Sequence, residues 1–245
     1  MKISVCIATY NGENYIKDQL DSIFPQLNTE DEIIIVDDCS IDLTYSILES
    51  YNDSRLILFQ NPINRGVNFS FEKAISLANG DFIFLSDQDD IWELGHVSEL
   101  TAYLTNFGVS LVTCNFRLID KYNQRLGDMK YPLKEKDSMR TFKNVLNIFK
   151  GTSYYYGCCM GFNKSLKSFI LPFPKFLESH DLWISTCSNL LRSNFHYEKV
   201  LVNRRIHGLN VSVVNRNFIK KVISRIIFFM SLLVFFSRLI KNKLK

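Results

Sequence analysis

The sequence predicts an α/β protein with a mostly parallel, doubly wound sheet whose two faces are covered by helices. Four short apolar runs, typical of buried strands, begin at Ile3, Glu32, Leu56 and Phe82. Segments with apolar residues at helical spacing separate these runs, and strands that alternate with helices pair in parallel. No internal repeat or long linker divides the 245 residues, so we expect one domain with a C-terminal appendage.

The elements follow in order along the first half. The first strand covers residues 3–8, and after the turn at Asn11-Gly12 a helix begins near Ile16 and frays at Pro25. The remaining strands are expected at residues 32–36, 56–59 and 82–85, and the remaining helices around residues 43–51 and 71–78.

Polar residues follow each predicted strand. They are Thr9, Tyr10 and Asn11 after the first strand, Asp38 after the second, Asn64 and Gly66 after the third, and Asp87, Asp89 and Asp90 after the fourth. In an open α/β sheet the carboxyl ends of the strands form the ligand-binding edge. The sequence therefore predicts a ligand site built from these loops.

The carboxylates after the fourth strand suggest a metal site. Two acids one residue apart, Asp87 and Asp89, can hold a hard divalent cation and leave coordination positions for phosphate oxygens. A calcium loop that starts at Asp87 is excluded, because it would need a glycine at position 92 and a glutamate at position 98, where the chain has Trp92 and Ser98. A solvated acidic loop without a ligand remains the alternative.

Common nucleotide-binding loops are missing from the sequence. No GxGxxG pattern follows the first strand, and the chain has no GxxxxGK[ST] motif. A dinucleotide-binding Rossmann site and a P-loop are therefore disfavoured. Because the predicted pocket is acidic, it would meet phosphates through a cation.

Positive charge is concentrated in the tail. Eleven basic residues and no acidic residue follow Glu198, so residues 1–198 have a net charge of −7, the chain's +4 less eleven. This charge argues against nucleic acid as a partner of the main domain. Residues 226–237 are uncharged but shorter than the roughly 20 residues that a spanning helix needs.

If the tail is a helix, its polar residues form one stripe along an otherwise apolar surface. The stripe comprises Lys220, Ser224, Ser231, Arg238, Asn242 and Lys245. This pattern predicts a helix that lies in the interface of an anionic membrane. The alternative is a helix packed on the domain or on a second subunit.

Four segments of the first half together resemble one known family, the inverting glycosyltransferases of family two, which have the GT-A fold. The segments are Ile7-Ala8-Thr9-Tyr10-Asn11, Val36-Asp37-Asp38-Cys39-Ser40-Ile41-Asp42, Asn64-Arg65-Gly66-Val67-Asn68 and Leu85-Ser86-Asp87-Gln88-Asp89-Asp90-Ile91-Trp92. They are similar to the family's opening strand, its VDDGSxD segment, its NxGxxxN stretch and its DxD loop. The resemblance covers about residues 3 to 210 and is closest to rhamnosyltransferase-like bacterial members that build surface polysaccharides, such as O-antigen or capsule.

The second half continues the resemblance. Gly157 to Asn163 is similar to a glycine-rich strand on the acceptor side, Ser179 to Trp183 to the family's [EH]D segment, and Asn203 to Asn210 to its YRxHxxN segment. Cys39 departs from the family's usual glycine, and residues 117–150 contain no motif that we can interpret.

The resemblance implies roles for individual residues. Thr9, Tyr10, Asn11 and Asp38 would hold the base and ribose, and Asn64 and Gly66 would complete the donor site. Asp87 would contact the ribose or the metal, Asp89 and His207 would bind Mn²⁺ or Mg²⁺, and Arg205 would neutralise the leaving diphosphate. Asp181 would be the general base, although from the sequence alone a helix N-cap is an equal alternative for this residue.

The expected function is therefore transfer of a sugar from a nucleoside diphosphate sugar to a hydroxyl of a lipid-linked saccharide, with inversion. The alternatives are a sugar-1-phosphate nucleotidyltransferase and a non-catalytic sugar-nucleotide-binding subunit. We divide the chain into a catalytic domain at 1–215, with a nucleotide half at 1–115 and an acceptor half at 116–215, and a basic membrane-associating tail at 216–245. Cysteine usage without CxxC pairs and the lack of a secretion signal indicate a cytoplasmic protein, peripheral on the inner face of the membrane.

Overall fold

The first half of the chain folds into alternating strands and helices, as the sequence predicts. The computed structural model describes residues 1–153, 155–207 and 218–244. The elements of this half are β1 (Ile3–Thr9), α1 (Ile16–Ile23), β2 (Glu32–Asp37), α2 (Thr44–Glu49), β3 (Leu56–Gln60), α3 (Val67–Leu77) and β4 (Phe82–Asp87). The four strands pair in parallel in the order β3-β2-β1-β4.

The second half adds five strands to the same sheet. Its elements are β5 (Ile91–Trp92), α4 (His96–Phe107), β6 (Leu111–Ile119), β7 (Arg125–Asp128), α5 (Thr141–Lys150), β8 (Met160–Asn163), α6 (Lys167–Ile170), α7 (His180–Leu190), β9 (Asn194–Arg205) and α8 (Phe218–Lys243). Strand β8 joins the halves by pairing antiparallel with both β4 and β6. Strand β9 runs parallel to β6, whereas β5 and β7 are antiparallel to their partners.

The sheet is therefore mixed, with a parallel first half and a second half that the alternation of strands and helices did not predict. A close contact fits β8 to its neighbour: a Cβ atom added to Gly161 would lie 2.5 Å from the ring of Phe84. Such contacts depend on residues far apart in sequence, so the local pattern does not reveal them.

Both faces of the central strands are buried, because helices cover each side of a parallel sheet. Along β1, Val5 and Ile7 belong to the core on one face, and Cys6 belongs to the core on the other. All six cysteine thiols are free, and five of them are buried, as expected for reduced core residues.

The predicted element boundaries agree with the structure within a few residues. Helix α1 ends at Ile23 and continues as a short 3₁₀ turn, Phe24–Gln26, that contains Pro25. Some expectations lie outside the described residues: the last part of the YRxHxxN-like segment at 208–210, the boundary between 215 and 216, and the stripe residue Lys245.

The strand register brings the predicted site residues side by side. Thr9 of β1 is paired with Asp37 of β2, and Ala8 is paired with Asp87 of β4. Neighbouring strands lie about 4.8 Å apart. The loops that follow β1, β2 and β4 therefore meet at one edge of the sheet.

Candidate active site

The acidic loop after β4 is partly buried. Asp87 ends β4, and Asp90 is only 1% exposed. The backbone N–H of Arg205 donates to Oδ1 of Asp90 at 3.0 Å, and within the described residues Oδ2 of Asp90 has no hydrogen-bond partner. The loop is therefore only partly solvated, and its binding of a ligand remains a prediction.

Electrostatic repulsion is concentrated in this loop. Burial raises the pKa of Asp87 well above its usual range, and the charges of Asp90 and Asp89 raise it further. Burial and the charge of Asp89 raise the pKa of Asp90 to about 7. The Arg204 guanidinium opposes both shifts but does not cancel them. A bound cation would relieve this repulsion, so the cluster fits a divalent metal ion.

Two sets of side chains could hold such an ion. Asp89 and His207 lie together, with Oδ2 of Asp89 at 2.7 Å from Nε2 of His207. The second set consists of a carboxylate oxygen of Asp87, a carboxylate oxygen of Asp90 and Sγ of Cys158. These three atoms lie within 4.8 Å of one another.

The set with Asp89 and His207 suits Mn²⁺ or Mg²⁺ better. A hydrogen bond with Cys159 and burial raise the pKa of the Cys158 thiol well above its usual range. Carboxylate and imidazole ligands suit Mn²⁺, whereas thiolates select softer metals. The His207 ring also stacks on Tyr15, with 4.8 Å between the ring centroids.

Arg205 anchors the acidic loop. Its side chain is buried, and its Nε donates to the carbonyl of Asp89 at 2.8 Å. One terminal nitrogen pairs with Asp18 at 3.2 Å, and the other bonds to Asn123. A contact between Arg205 and a diphosphate remains a prediction; the observed partners instead favour a positioning role for this residue.

Gln88, which the sequence analysis did not assign, connects the acidic loop to the loop after β1. Its Oε1 accepts from Thr9 Oγ1 and from the backbone N–H of Tyr10, both at 2.7 Å, and its Nε2 donates to the carbonyl of Tyr10 at 3.1 Å. Asn11 extends the network, because its Oδ1 accepts from the N–H of Ile41 at 2.9 Å. The predicted donor-binding loops are therefore one hydrogen-bonded unit.

Asp38 organises the loop after β3. Its carboxylate accepts from the backbone N–H groups of Arg65 at 2.9 Å and Gly66 at 2.7 Å, and from the side chain of Asn61 at 2.8 Å. These bonds bring Asp38 and Gly66 into contact and hold the neighbouring, exposed Asn64 near them. Contacts of these residues with base or ribose remain predictions.

Cys39 has a left-handed backbone, with φ of 65°. Only glycine adopts this region without steric cost. The glycine that the family usually has at this position therefore matches the local geometry, and Cys39 keeps that geometry under strain.

Asp181 lies in the first turn of α7, and Ser179 is the N-cap. The alternative of an N-cap role for Asp181 is therefore wrong. The Ser179 hydroxyl and the Leu182 N–H, the latter at 2.8 Å, both donate to Oδ1 of Asp181. In the part of the chain that the structure describes, Oδ2 has no hydrogen-bond partner, so it is available to a ligand.

A short turn places Asp181 beside the acidic loop. A Cβ atom added to Gly157 would lie 3.8 Å from Cβ of Asp181 and 2.9 Å from Nε2 of His180. The sulfur of the next residue, Cys158, lies within 4.8 Å of a carboxylate oxygen of Asp90. Asp181 is also close enough for its charge to raise the pKa of Asp87.

His180 and Asn68 are further site residues that the sequence analysis did not assign. Oδ1 of Asn68 lies 3.1 Å from both the backbone nitrogen and Nδ1 of His180, and the His180 ring stacks on Phe71. These contacts link the start of α3 to the start of α7. The NxGxxxN-like segment contains Asn68, but no local pattern shows that its partner is 112 residues away.

Comparison with known proteins identifies the family. The model of glycosyl transferase family 2 matches residues 4–169, which is more than half of the chain. The chain belongs to this family. The family match favours a glycosyltransferase over a sugar-1-phosphate nucleotidyltransferase.

The relatives include enzymes of bacterial surface-polysaccharide synthesis. One is the Escherichia coli UDP-Glc:α-D-GlcNAc-diphosphoundecaprenol β-1,3-glucosyltransferase WfgD, 29% identical over 133 residues, which are 54% of this chain and 52% of WfgD. Another is the Staphylococcus aureus poly(ribitol-phosphate) β-N-acetylglucosaminyltransferase TarS, 36% identical over 110 residues, 42% of this chain and 19% of TarS. The chain spans less than two thirds of the length of the first curated relatives that it matches, and about half in the case of WfgD.

A solved structure supports the GT-A fold. The crystal structure of TarS residues 1–349 with UDP-GlcNAc has a TM-score of 0.68 and 22% identity and covers 97% of this chain and 72% of that one. At this level of identity the likeness shows the fold alone. It confirms the predicted GT-A fold class and agrees with the predicted C-terminal helix, whereas the sheet is mixed rather than mostly parallel.

Proposed function

We propose that this glycosyltransferase moves one sugar from a nucleoside diphosphate sugar to a hydroxyl of a lipid-linked saccharide, with inversion at the anomeric carbon. The observation that carries the proposal is the meeting of Asp181 with the buried acidic loop at the carboxyl edge of the sheet. The sequence places these groups about ninety residues apart. Gly157 and Cys158 connect them, because Gly157 packs against Asp181 and the sulfur of Cys158 lies within 4.8 Å of an Asp90 oxygen.

Asp181 acts as the general base in this proposal. Its Oδ2 accepts the proton of the acceptor hydroxyl while the hydroxyl oxygen forms a bond to the anomeric carbon. The bond from that carbon to the diphosphate oxygen breaks at the same time, and its electron pair leaves with the nucleotide. A single displacement of this kind inverts the configuration. The bonds from Ser179 and Leu182 hold Oδ1 and so fix the direction of Oδ2.

A divalent cation would be held by Asp89 and His207, with Asp87 beside them. When bound, it supplies positive charge that neutralises the diphosphate as it leaves. The chain's own residues position this site: Arg205 fixes the backbone of Asp89, and Gln88 fixes the loop after β1. Hydrogen-bonded surroundings of this kind preserve the geometry of a metal site.

The test is release of nucleotide from a panel of nucleotide sugars, each measured with Mn²⁺, with Mg²⁺ and with EDTA. UDP-glucose and UDP-GlcNAc come first, because WfgD and TarS are associated with these donors by name. Asp181→Asn keeps the shape of the side chain and removes the base, so we expect turnover to fall by about 10²–10⁴-fold while donor binding is retained. Asp89→Ala should instead lose metal-dependent donor binding.

Full turnover in both variants would contradict the proposed site. Donor binding without turnover in the wild-type chain, with every acceptor and metal tried, would favour the non-catalytic subunit. Glu30→Gln is a matched control, because Glu30 is an exposed acid in the loop before β2, outside the proposed site.

The orientation of helix α8 supports membrane association. Its polar stripe faces the domain: Ser224 donates to Glu178 at 3.0 Å, Arg238 to the carbonyl of Phe169 at 2.7 Å, and Ser231 is buried. Its opposite face exposes a continuous row of large apolar side chains, namely Ile219, Val222, Ile223, Ile226, Phe229, Met230, Leu233, Phe236 and Ile240. The helix also buries Phe235 against the domain, so it is apolar on both sides. An exposed apolar row of this length points to an apolar surrounding.

We propose that this face lies in the interface of an anionic membrane. By length and composition α8 could also cross a bilayer. However, its contacts with the domain run from Ser224 to Asn242, about 27 Å along the helix axis. A helix held beside the domain over this distance favours a position parallel to the membrane. Basic residues at both ends, Lys220 and Lys221 with Lys241 and Lys243, suit anionic headgroups.

This arrangement matches the proposed acceptor, since a lipid-linked saccharide stays at the membrane surface. We propose that the domain lies on the cytoplasmic face, where nucleotide sugars are available to it. The division into a catalytic domain and a membrane-associating tail is part of the same proposal.

A further inference from the structure

A basic cleft lies outside the acidic site, in the region where the sequence shows no motif. It has a volume of about 440 Å³. Three segments form its walls: the loop at residues 131–137, one side of α5, and the side chains of Thr152, Ser153 and Tyr155. The cleft is therefore a concavity between separate parts of the acceptor half rather than a run of neighbouring surface residues.

The charge of the cleft is opposite to that of the domain around it. Its lining includes four basic side chains, those of Lys134, Lys136, Arg140 and Lys143, and the single acid Asp137. Asp137 pairs with Arg140 at 3.1 Å and with Lys143 at 3.3 Å. Among the described residues no ion pair involves Lys134 or Lys136. The four basic groups and one acid leave the cleft with a net positive charge, which attracts an anion.

A buried polar network forms the floor. The hydroxyl of Tyr155 lies 2.6 Å from Nε2 of His196 and accepts from the side chain of Asn189 at 3.0 Å. His196 also approaches the side chain of Asn194 at 3.2 Å. These four side chains are joined by hydrogen bonds, so the floor is fixed before any ligand arrives.

The cleft lies between the membrane helix and the proposed catalytic base. Lys143 lines the cleft, and seven residues further along α5, about 10 Å, the carbonyl of Lys150 accepts from Arg225 of α8 at 2.8 Å. On the other side Tyr155 lines the cleft, and two residues later Gly157 packs against His180 and Asp181. Two residues span at most about 7 Å.

The rim includes aromatic surface. Tyr131, at the edge of the cleft, is 52% exposed. Exposed aromatic faces beside hydrogen-bonding groups suit the apolar faces of sugar rings. The surroundings of the cleft therefore fit a molecule that carries both negative charge and sugar.

We propose that this cleft binds the phosphate group that links the acceptor saccharide to its lipid. This inference rests on the proposed function, because it places the lipid at α8 and the saccharide at Asp181. Lysine ammonium groups bind phosphate as point charges, and the cleft offers two that have no acidic partner among the described residues. Phosphate in the cleft would hold the acceptor on the path from membrane to catalytic base.

The test is binding of geranyl diphosphate to the full chain, measured by calorimetry in EDTA. Without a divalent cation the acidic donor site repels diphosphate, so binding reports on the basic cleft. We expect Lys134→Ala/Lys136→Ala to weaken binding by about tenfold or more. Both side chains are exposed, so the variant should remain folded. The control Lys164→Ala/Lys199→Ala removes the same charge elsewhere and should change binding less than about twofold.

Two further measurements test whether the bound phosphate belongs to a phospholipid headgroup or occupies the donor site. Vesicles of phosphatidylglycerol test phospholipid headgroups, and Asp89→Ala tests the donor site. The proposal expects the cleft variant to bind these vesicles as the control does, and Asp89→Ala to bind geranyl diphosphate normally.

Three results would overturn the proposal. They are no saturable binding of geranyl diphosphate by the wild-type chain, equal binding of it by the cleft variant and the wild-type chain, or a cleft variant that loses only its binding to vesicles. A wild-type chain that binds geranyl diphosphate but releases no nucleotide from any donor would count against the proposed function instead. The two failures are therefore distinguishable.

Discussion

Removing the apolar face of α8 should release the protein from membranes. We choose Phe229→Ala/Leu233→Ala/Phe236→Ala, because these side chains are 57%, 72% and 47% exposed; Phe229 also meets the ring of Phe149 on α5, with 5.4 Å between the centroids. Alanine keeps the helix, since it has the highest helix propensity. Full burial of such a side chain contributes about 1.5–3 kcal/mol.

The magnitude follows from the exposed fractions. With roughly half to two thirds of each side chain available to lipid, each contributes about 1–2 kcal/mol, and the three together about 3–5 kcal/mol. Since about 1.4 kcal/mol corresponds to a factor of ten, membrane partitioning should fall by about 10²–10³-fold. The assay is sedimentation with vesicles that contain anionic lipid, at several salt concentrations. Binding of the wild-type chain should also weaken as salt rises, because basic residues lie at both ends of the helix.

A matched control uses apolar side chains that are exposed on other surfaces. Ile41→Ala/Leu94→Ala/Leu126→Ala removes a similar exposed area, and we expect it to sediment with vesicles like the wild-type chain. Equal partitioning of the two triple variants would refute the assignment. A wild-type chain that forms stable dimers without lipid, and loses them in the α8 variant, would show that a second copy covers this face instead.

Three further predictions concern single residues. Cys39→Gly should raise the free energy of unfolding by up to about 1 kcal/mol, because relief of left-handed strain outweighs the entropy cost of glycine; Cys39→Ala should give no gain in the same denaturant titration. Gly157→Ala should lower turnover at least about tenfold while calorimetry shows normal donor binding, because its Cβ would meet Nε2 of His180 at 2.9 Å and displace the start of α7. Burial lowers the pKa of His196 from 6.5 to about 4. The unfolded chain therefore binds more protons between these pH values, and stability falls as the pH drops through them. His196→Gln should reduce this slope by up to about 1.4 kcal/mol per pH unit in denaturant titrations, and an unchanged slope would contradict the burial argument.

The sequence predicted the nucleotide half well, because its signals are local. Each strand from β1 to β4 is a short apolar run, and each is followed at once by the polar residues of its loop. Parallel strands place those loops at one edge, so the neighbourhood of Thr9, Asp38 and Asp87 follows from the order of the elements. The start of α7 at His180 was predicted equally well from a local motif.

The acceptor half was predicted poorly, because its structure depends on distant contacts. Strand β8 is four residues long and fits between β4 and β6 through Gly161, whose significance appears only when Phe84 lies opposite. The direction of α8 also could not be derived. Its polar stripe was visible in the sequence, but the sequence does not say that Ser231 and Arg238 face carbonyl groups and core rather than headgroups.

The acidic and basic sites together suggest how the enzyme separates its two phosphate-bearing substrates. Near Asp87 and Asp89 a phosphate is repelled unless a cation accompanies it, whereas near Lys134 and Lys136 it is attracted directly. On one side of Gly157 the donor diphosphate would thus bind through a cation. On the other side the acceptor phosphate would bind basic side chains directly. Removing the metal should therefore abolish donor binding while acceptor phosphate still binds, and this difference follows from the charges alone.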